Sequence, residues 1–373
     1  MSTPKRHQTV SDALDRKMET NTDQIRLGII GCGAISQLGH GQGALLSRRA
    51  KLTKLVDLDI DRARSLGSNL GVSNIANNID GIKQDIDAAI IAVPHKAHLA
   101  VGTELMAQGI HVLMEKPLGC TVEECRKLSD AASTNNVVLA VALVRRFVAV
   151  NQLIKKIIDL QLLGKPVSFE MLEARVFAWP SKSNFLLDPE EPGRGVLIGN
   201  GSHMFDLALW WFGDVSEVDC KLDSNNKAET DAEVRITMQS GVQGQIILSR
   251  TRNLGDETCI IFENGRIKVS PFGPRITIES NDGPLFDGLP SIDKFGTPTT
   301  DLGQLMAYQI DDFIAALVEK TPPETGAQIA TKVVALVERC RAVATVSGET
   351  WWNHRVFDEE TASKITRTYL ASP

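Results

Sequence analysis

A lysine and a histidine stand in sequence contexts that suit proton transfer. Lys116 follows an apolar run and lies between Glu115 and Pro117. His203 follows the Gly-Asn-Gly-Ser sequence at 199–202 and precedes an amphipathic helix pattern. Enzymes use imidazole and amine groups as general acids and bases when these are held near a reacting oxygen. A plain helix start and a surface lysine at a strand end are the alternatives.

A glycine-rich sequence, GIIGCGAIS, directly follows the first apolar run. It places Gly31, Gly33 and Ser36 in a G-x-G-x-x-S pattern. Glycines in such a loop let the backbone approach a pyrophosphate, which the following helix N-terminus attracts. Asp57 ends the second apolar run, 24 positions after Gly33 (57 − 33), where a carboxylate can accept hydrogen bonds from the adenosine ribose.

These features predict a dinucleotide site. NAD is favoured over NADP, because a 2′-phosphate would meet the like charge of Asp57. The alternatives are a glycine-rich turn that simply joins a strand to a helix, and a solvated aspartate at a strand end.

The elements that must position these residues change character along the chain. From about residue 25, short apolar runs alternate with helix-like segments, as in a parallel sheet with crossover helices. After residue 150 the runs alternate in polarity between turn residues, as in an antiparallel or mixed sheet. The Pro/Gly-rich segment 280–301 predicts a long loop, and helical patterns follow it.

The pattern therefore predicts an α/β chain. It combines an N-terminal Rossmann dinucleotide-binding domain with a C-terminal α+β domain that has a large, mostly antiparallel open sheet. The expected divisions are 1–24 for a flexible leader, 25–148 for the Rossmann domain, 149–350 for a substrate and oligomerisation domain whose last helices pack back on the core, and 351–373 for a C-terminal tail.

Composition argues against several classes of protein. The 373 residues suit two domains, and the net charge of −6, without a dense basic block, argues against nucleic acid and membranes as partners. No apolar run reaches the ~18 residues of a membrane span. The first 23 residues lack the apolar core of a secretory signal. Six cysteines without a CxxC pair predict reduced thiols in a cytoplasmic protein with no metal site.

Several motifs, in the same order, resemble the glucose–fructose oxidoreductase / inositol dehydrogenase (Gfo/Idh/MocA) family. They are GIIGCGAIS, AAIIAVPHKAH, GIHVLMEKPLG, GVLIGNGSHMFDLALWWFG and the later YQIDDFIAAL. The resemblance runs from about residue 25 to 350, and the Glu-Lys-Pro motif is its most specific part. It implies an NAD(P)-dependent oxidoreductase that transfers a hydride at a secondary alcohol or ketone of a sugar, cyclitol or related polyhydroxylated compound.

The resemblance also implies residue roles. Lys116 and His203 would be catalytic and handle the proton. The cofactor would be bound by Gly31, Gly33, Ala34, Ile35, Ser36, Asp57, Val93, Pro94, His95, His98, Glu115 and Lys116. The substrate would be bound by Arg146, Arg175, Trp179, Asn200 and His203, with Arg145, Glu173 and Asn184 also facing the nicotinamide.

Some of these residues could instead have a purely structural role. Trp179 would stack on a sugar ring, and Arg146 would hold a carboxylate or phosphate through its bidentate donors. Ordinary packing and surface salt bridges are the alternative for the residues of the second domain. We expect His98 to be structural or adjacent to the cofactor, and Asp206 to support the structure.

Position 199 departs from the family pattern, which has an aspartate four residues before the histidine. Here that residue is Gly199, and Asn200 can hydrogen-bond but cannot titrate. If a carboxylate was simply lost, Lys116 and His203 carry the proton chemistry, and an aspartate would be tolerated at the start of a helix. Otherwise the glycine makes room for a bulky substrate or for a turn with positive φ.

Two other functions remain open at this point. One is a redox-neutral glycosidase or epimerase that uses tightly held NAD, and the other is a catalytically weak cofactor-binding subunit. In each case the partner is a small sugar- or cyclitol-type molecule. Members of the family commonly pair through the open sheet, which predicts a homodimer or homotetramer.

Overall fold

The computed structural model describes residues 24–176, 178, 193–223, 228–270, 273–290 and 299–346. Within them, a first sheet consists of six strands, all parallel, in the order β3-β2-β1-β4-β5-β6. The strands are β1 (Ile25–Ile30), β2 (Ala50–Val56), β3 (Ile75–Ala76), β4 (Ala88–Ile91), β5 (His111–Met114) and β6 (Leu139–Val141). The central strand β4 is buried at every residue, which explains its unbroken apolar sequence.

Helical crossovers connect these strands. They are a π-helix at Ser36–His40, α1 (Gly41–Leu46), α2 (Ile60–Leu70), α3 (His98–Ala107) and α4 (Val122–Thr134), with short 3-10 turns at Ile82–Gln84, His95–Ala97 and Val144–Phe147. Side-chain caps set the helix starts, as at Thr121, whose side chain accepts a hydrogen bond from the Glu124 N–H. The Rossmann-type α/β architecture predicted for this half is confirmed.

A second sheet of nine strands lies in the described part of the chain, in the order β14-β13-β12-β11-β7-β10-β9-β8-β15. Its strands are β7 (Pro166–Ala174), β8 (Val215–Leu222), β9 (Asp231–Met238), β10 (Gln243–Ser249), β11 (Gly255–Phe262), β12 (Gly265–Val269), β13 (Ile276–Ser280), β14 (Gly283–Gly288) and β15 (Thr345–Val346). Neighbouring strands are antiparallel except β7 with β10 and β8 with β15. This confirms the predicted large, mostly antiparallel sheet.

The described part of the chain contains five further α-helices. They are α5 (Ala149–Asp159), α6 (Val196–Gly199), α7 (Gly201–Phe212), α8 (Leu302–Glu319) and α9 (Ala327–Val343). Apolar residues of α5, α7 and α9 share one core with the second sheet. Helix α8 packs instead on α1, where Gly43 permits a close approach: a Cβ there would lie 3.0 Å from the backbone carbon of Met306. Between α8 and α9, the Thr325 carbonyl accepts a hydrogen bond from the Val141 N–H.

Two sequence expectations about elements are wrong. The segment 280–301 was expected to be a loop, but β14 forms there, because Gly283 turns with φ 137° and lets the chain pair back on β13. The Gly-Asn-Gly-Ser sequence is expected to precede the helix, but a helical turn already lies before it: Asn200 has helical torsions, φ −79° and ψ −43°, and links α6 to α7. The real break is at Gly195, with φ 99°.

Two kinds of feature are absent from the part of the chain that the structure describes. None of the helices described there has both the length and the apolar character needed to cross a membrane. The same ranges contain no group of three His, Cys, Asp or Glu side chains that could hold a metal ion. The predicted boundaries at residues 148/149 and 350/351 stay predictions.

Candidate active site

The carboxyl ends of β1, β4 and β5 bring the predicted nucleotide residues to one edge of the first sheet. Gly31 follows β1 with φ 96°, and a Cβ there would overlap the Ala92 carbonyl, so the turn requires glycine. The Ser36 hydroxyl fastens the loop by donating to the Gly31 carbonyl oxygen at 2.6 Å. A crevice at the carboxyl ends of parallel strands is where open α/β sheets bind ligands.

The space beside Gly33 bears on whether a dinucleotide fits this loop. A Cβ at Gly33 would meet no atom within 4 Å among the described residues. The fold itself therefore does not demand a glycine here, whereas a pyrophosphate lying against the backbone would. Ala34 and Ile35 continue from Gly33 into the first helical turn. The loop fits the diphosphate of a nicotinamide dinucleotide.

The carboxylate of Asp57 lies beside the same loop. Its Oδ2 accepts a hydrogen bond from the Cys32 N–H at 2.8 Å, and its Oδ1 accepts one from the Asp59 N–H at 2.9 Å. The guanidinium of Arg62 approaches the carboxylates of Asp57 and Asp59: its Nη1 lies 3.4 Å from Asp57 Oδ1, and its Nη2 lies 3.1 Å from Asp59 Oδ2. Asp57 is thus fixed beside the glycine loop, and its contact with a ribose stays a prediction.

Glu115 is held by a histidine that the sequence did not single out. The buried ring of His40 places Nε2 2.7 Å from Glu115 Oε1, and the Lys116 N–H donates to Glu115 Oε2 at 3.1 Å. Burial alone would raise the pKa of Glu115, but the His40 hydrogen bond and nearby Lys116 hold that pKa below its usual value. His40 belongs to the π-helix, an element that occurs mostly as a local bulge and often at functional sites.

Lys116 reaches from the first sheet to the helix pair of the second half. Its Nζ donates a hydrogen bond to the Gly199 carbonyl oxygen at 2.8 Å. Burial lowers the pKa of Lys116 to about 8; Arg250 and Arg145 also lower it, whereas Glu115 and Glu173 oppose the shift. With this pKa, Lys116 can exist as either amine or ammonium near neutral pH. The peptide bond between Lys116 and Pro117 is cis.

His203 lies one helical turn beyond this carbonyl. Its Nδ1 is buried and has no hydrogen-bond partner within the described ranges. Burial is the main cause that holds the pKa of His203 well below its usual value, and the charges of Lys116 and Arg145 add to it. The ring is therefore neutral at physiological pH. A neutral imidazole with an uncommitted nitrogen can accept or relay a proton.

A chain of polar contacts surrounds the lysine. The Glu173 carboxylate accepts from Arg145 Nη1 and from Asn200 Nδ2, each at 2.7 Å. Asn200 Oδ1 in turn accepts from the Nε of Arg250 at 2.9 Å. Glu173 and Arg145 are buried, with 4% and 7% of their surface exposed. These hydrogen bonds connect the end of β7, the start of α7 and the residue after β10.

Comparison with known proteins agrees with this geometry. The family model described as "Oxidoreductase family, NAD-binding Rossmann fold" matches residues 25–143, and that of the GFO/IDH/MocA C-terminal domain matches 151–268. An uncharacterised oxidoreductase of Schizosaccharomyces pombe is 30% identical, covering 74% of this chain and 75% of its own. The chain belongs to the Gfo/Idh/MocA family. It is an oxidoreductase with an NAD-binding Rossmann domain.

Two further relatives show how far the similarity extends. The scyllo-inositol 2-dehydrogenase (NAD(+)) of Bacillus subtilis is 26% identical, covering 72% of this chain and 80% of its own. The crystal structure of an oxidoreductase from Agrobacterium radiobacter, in complex with NAD+, L-tartaric acid and magnesium, has a TM-score of 0.75 at 19% identity. That comparison covers 86% of this chain and 96% of the other. At that identity the structure supports the fold alone.

The Gfo/Idh/MocA motif at 199–203 has an unexpected neighbour. An ideal Cβ built on Gly199 would overlap Nη2 of Arg250 and lie 3.0 Å from its Cζ. The φ of Gly199 is not in the positive range, which rules out the alternative that a turn with positive φ requires this glycine. The residue lies within the helix α6 and not before it, and a side chain there would require the end of the Arg250 side chain to shift, so tolerance of an aspartate stays a prediction.

The structure does not bring every predicted substrate residue to this family site. Arg146 is 4% exposed, and its Nε and Nη2 bind the Asp206 carboxylate at distances of 2.7–3.0 Å. Its Nη1 donates to the Glu324 carbonyl oxygen at 3.1 Å, and its Cζ stacks 5.0 Å from the Trp210 ring centre. Its neighbour Arg145 reaches Glu173 instead. Arg146 and Asp206 therefore form a buried ion pair in the core.

The other predicted residues have varied surroundings. His98 is buried between two carbonyl oxygens, with Nδ1 2.9 Å from that of Pro117 and Nε2 3.1 Å from that of Val93. Burial lowers the pKa of His98, and the neutral ring donates a hydrogen bond to one of the two carbonyls at a time. Pro94 opens the 3-10 turn that carries His95. Burial, then His98 and Lys116, lower the pKa of His95 to about 3.

The remaining predicted substrate residues lie on β7 or after it. Arg175 is largely exposed and forms an ion pair with Asp256. Trp179 and Asn184 lie outside the described residues. Substrate roles for these three side chains stay predictions.

Sequence reasoning missed Arg250. It lies 51 positions beyond Gly199 (250 − 199) on another element. The only signal was indirect, namely the missing carboxylate at position 199. Arg250 lies just beyond the paired ends of β9 and β10. Its backbone N–H donates a hydrogen bond to the Thr230 carbonyl at 2.9 Å, and this contact directs the residue toward α6.

Proposed function

We propose that this protein is an NAD(H)-dependent oxidoreductase that transfers a hydride at a secondary alcohol or ketone of a sugar-like polyhydroxylated compound. The observation that carries the proposal is the placement of Lys116 Nζ, 2.8 Å from the Gly199 carbonyl, beside His203 and the carboxyl ends of the Rossmann strands. The names of relatives that act on inositols and sugars support the substrate class.

The protein's own groups handle the proton. When bound, the nicotinamide cofactor supplies the hydride acceptor or donor. For oxidation, the amine form of Lys116 accepts the proton of the substrate hydroxyl, and for reduction its ammonium form returns it. The Gly199 carbonyl orients the Nζ, while Glu115 and its partner His40 fix the backbone on which Lys116 sits. His203 offers a neutral ring nitrogen as a second acceptor.

The proposed cofactor is NAD rather than NADP. Asp57 supports this choice, because its buried carboxylate would repel a 2′-phosphate and can accept from the ribose hydroxyls. Arg62 is the residue that could favour NADP, yet its guanidinium is engaged by the carboxylates of Asp57 and Asp59. Gly31 and Gly33 would approach the diphosphate, while the buried Ser36 fixes their loop through its hydrogen bond to the Gly31 carbonyl. Val93, Pro94 and Glu115 would line the nicotinamide side.

Absorbance at 340 nm tests the function. The purified protein is mixed with NAD+ and a panel of polyols, aldoses and inositols, and product formation is followed by chromatography. A dehydrogenase gives NADH and a ketone in equal amounts. A redox-neutral glycosidase or epimerase gives product without net NADH, and a weak binding subunit gives neither while binding NADH. Either of the last two results would replace the proposal by that alternative.

We also propose a homodimer or homotetramer formed through the second sheet. Along β7, buried Phe169 and Met171 alternate with exposed Glu170, so only one face of this strand is covered by the core. Sheets with an open face are a natural surface for pairing between subunits. Light scattering at micromolar concentration is the measurement, and a monomer would contradict the proposal.

A further inference from the structure

The ring of His40 is completely buried, and its two nitrogens have unequal surroundings. Nε2 lies 2.7 Å from Glu115 Oε1, whereas Nδ1 is buried and has no hydrogen-bond partner within the part of the chain that the structure describes. A buried polar atom without a partner costs free energy, so an apolar side chain would fill this space at lower cost. The contact with Glu115 is therefore what a histidine provides here and an apolar residue would not.

This contact fixes where a ring proton lies. An ionised carboxylate only accepts hydrogen bonds, so His40 donates its Nε2–H to Glu115 Oε1. The second carboxylate oxygen, Oε2, accepts from the Lys116 N–H at 3.1 Å. Both donors favour the ionised form of Glu115 at a place where burial alone favours the neutral acid.

A local feature of the backbone holds His40 in this position. The Gly41 N–H donates to the Ser36 carbonyl oxygen five residues earlier, which is the hydrogen bond of a π-helix. A Cβ on Gly41 would lie 2.9 Å from that oxygen and 2.7 Å from Leu70 Cδ1 of α2. The turn next to His40 therefore closes tightly around a residue that has no side chain.

Glu115 acts on Lys116 through its hydrogen bond and through its charge. Its Oε2 holds the Lys116 N–H, and its negative charge favours the ammonium form of the Lys116 side chain, in opposition to burial. In the proposed reaction the proton moves to and from this side chain. The charge on Glu115 therefore helps to set the pH at which Lys116 can accept a proton, and a neutral Glu115 would not provide it.

Other charged or titratable groups face the same two side chains from other elements. Those that face Lys116 are Arg145, Glu173, Arg250, His95 and His203. Those that face Glu115 are His40, His95 and His98. Among the described residues that act on the Glu115 carboxylate, His40 is the one that donates a hydrogen bond from its side chain.

We propose that His40 is a positioning residue for proton transfer: by donating its Nε2–H it keeps the Glu115 carboxylate ionised, and this carboxylate holds Lys116 and favours its ammonium form. The inference rests on the proposed oxidoreductase function, in which Lys116 is the proton-transfer group. Neither His40 nor Glu115 gains or loses a covalent bond in the reaction. The proton passes between the substrate hydroxyl and Lys116 Nζ.

Five variants accompany the wild-type protein. His40→Leu and His40→Ala both remove the donor, and the first keeps most of the volume of the ring. His40→Gln keeps a side-chain N–H that can reach Glu115, and Glu115→Gln removes the charge itself. His111→Leu is the control, because His111 begins β5, the strand that leads to Glu115, and its Nδ1 accepts from the Val138 N–H at 2.9 Å. NADH affinity and the thermal midpoint of each variant establish that it is folded.

Infrared spectroscopy measures the charge of Glu115 without any substrate. A protonated carboxyl group has a C=O stretching band that a carboxylate lacks, and difference spectra against the same protein carrying Glu115→Gln isolate this group. We expect an acid band at neutral pH in His40→Leu and His40→Ala, but none in the wild type, His40→Gln or His111→Leu. An ionised Glu115 in both variants that lack the donor would overturn the inference.

The second measurement is the pH dependence of kcat/KM for oxidation, at saturating NAD+ and with a polyol that the wild type oxidises. Removal of the negative charge favours the amine form of Lys116. In Glu115→Gln the midpoint should therefore move to lower pH by about one pH unit, the low end of the effect of one nearby opposite charge.

His40→Leu should move the midpoint in the same direction, and His40→Gln and His111→Leu should leave it near that of the wild type. A shift in Glu115→Gln without one in His40→Leu would overturn the role of His40, since the ring would then only fill space. An equal shift in His40→Leu and His40→Gln would also overturn it, because the donor would make no difference.

The two measurements separate this inference from the proposed function. An acid band in His40→Leu, without NADH formation by the wild type from any compound, would support the link between His40 and Glu115 and contradict the dehydrogenase. NADH formation by the wild type, with no acid band in His40→Leu or His40→Ala, would do the reverse.

Discussion

The Nζ of Lys116 and the carbonyl oxygen of Gly199 lie 2.8 Å apart, as a hydrogen bond between the Rossmann half and the second half of the chain. The contact aims the lysine at the cleft between the two sheets. It also uses a backbone atom, so it does not depend on which side chain residue 199 carries. The position of the proton-transfer group is therefore independent of the missing carboxylate.

Lys116→Ala should abolish turnover and leave NADH binding nearly unchanged, because the lysine serves the substrate oxygen and not the adenosine. His203→Ala should reduce kcat/KM roughly 10²-fold, the scale of one positioned acid–base group. Steady-state kinetics and fluorescence titration with NADH measure the two effects. Lys83→Ala is a matched control, since Lys83 Nζ also donates to a backbone carbonyl, that of Gly109, but at an exposed site. Full activity in Lys116→Ala would remove the catalytic assignment.

The pH dependence of oxidation should follow the lysine. With the pKa of Lys116 lowered to about 8, mainly by burial, its amine form is scarce below that pH and dominant above it. The kcat/KM for oxidation should rise with pH through about 8, and that for reduction should fall over the same interval. The neighbouring charges are Glu115, Glu173, Arg145 and Arg250.

Arg250→Gln removes one cation that lowers this pKa, so the midpoint of the rise should move to higher pH. Kinetics across pH 6–10 with a substrate that both proteins accept provide the measurement. An unchanged midpoint in Arg250→Gln would show that the titrating group is not next to Arg250.

Cofactor preference should depend on Asp57. We expect NADH to bind at least about 10-fold more tightly than NADPH, since the buried carboxylate would face the 2′-phosphate. Asp57→Ser should narrow the difference in two ways, by removing the repulsion and by releasing Arg62, whose Nη1 lies 3.4 Å from Asp57 Oδ1. The double variant Asp57→Ser with Arg62→Ala separates these two effects, because it removes the repulsion without leaving a free arginine. Equal binding of NADH and NADPH to the wild type would contradict this assignment.

Local sequence was enough to predict which residues lie at the carboxyl ends of the Rossmann strands. The glycine loop, Asp57 and the Glu-Lys-Pro motif each follow a buried strand, and the parallel sheet gathers strand ends at one edge. The substrate half depends on contacts between distant elements. Arg145 and Arg146 are neighbours in one 3-10 turn and point to different carboxylates, so no periodicity could select the first over the second. Arg250 depends on the register between β9 and β10, which sequence alone does not show.

The Arg146–Asp206 pair should be important for stability and not for recognition. Asp206→Ala leaves a buried guanidinium without its carboxylate, which should lower the free energy of unfolding by about 3–5 kcal/mol. Urea denaturation measures the loss. Asp287→Ala is the control, because it breaks a similar two-pronged pair with Arg275 at an exposed site and should change stability little. A wild-type-like unfolding midpoint for Asp206→Ala would contradict the structural role.

The last prediction concerns residue 199. Gly199→Asp alone places a Cβ where Nη2 of Arg250 now lies, so the end of this side chain must shift. We expect this variant to have a lower thermal midpoint, because the shift disturbs the hydrogen bond from Arg250 Nε to Asn200. The double variant Gly199→Asp with Arg250→Ala removes the obstacle and introduces the carboxylate of the family pattern within the helical segment. It should recover thermal stability and gain activity on neutral polyols relative to either single variant.

The two substitutions should therefore be strongly non-additive, as expected for groups that compete for one space. Kinetics with a neutral polyol, together with the thermal midpoints of the four proteins, complete the cycle. If Gly199→Asp keeps the wild-type thermal midpoint, the end of the Arg250 side chain shifts without cost. If the effects of the two substitutions simply add, residues 199 and 250 act separately and do not compete for one space.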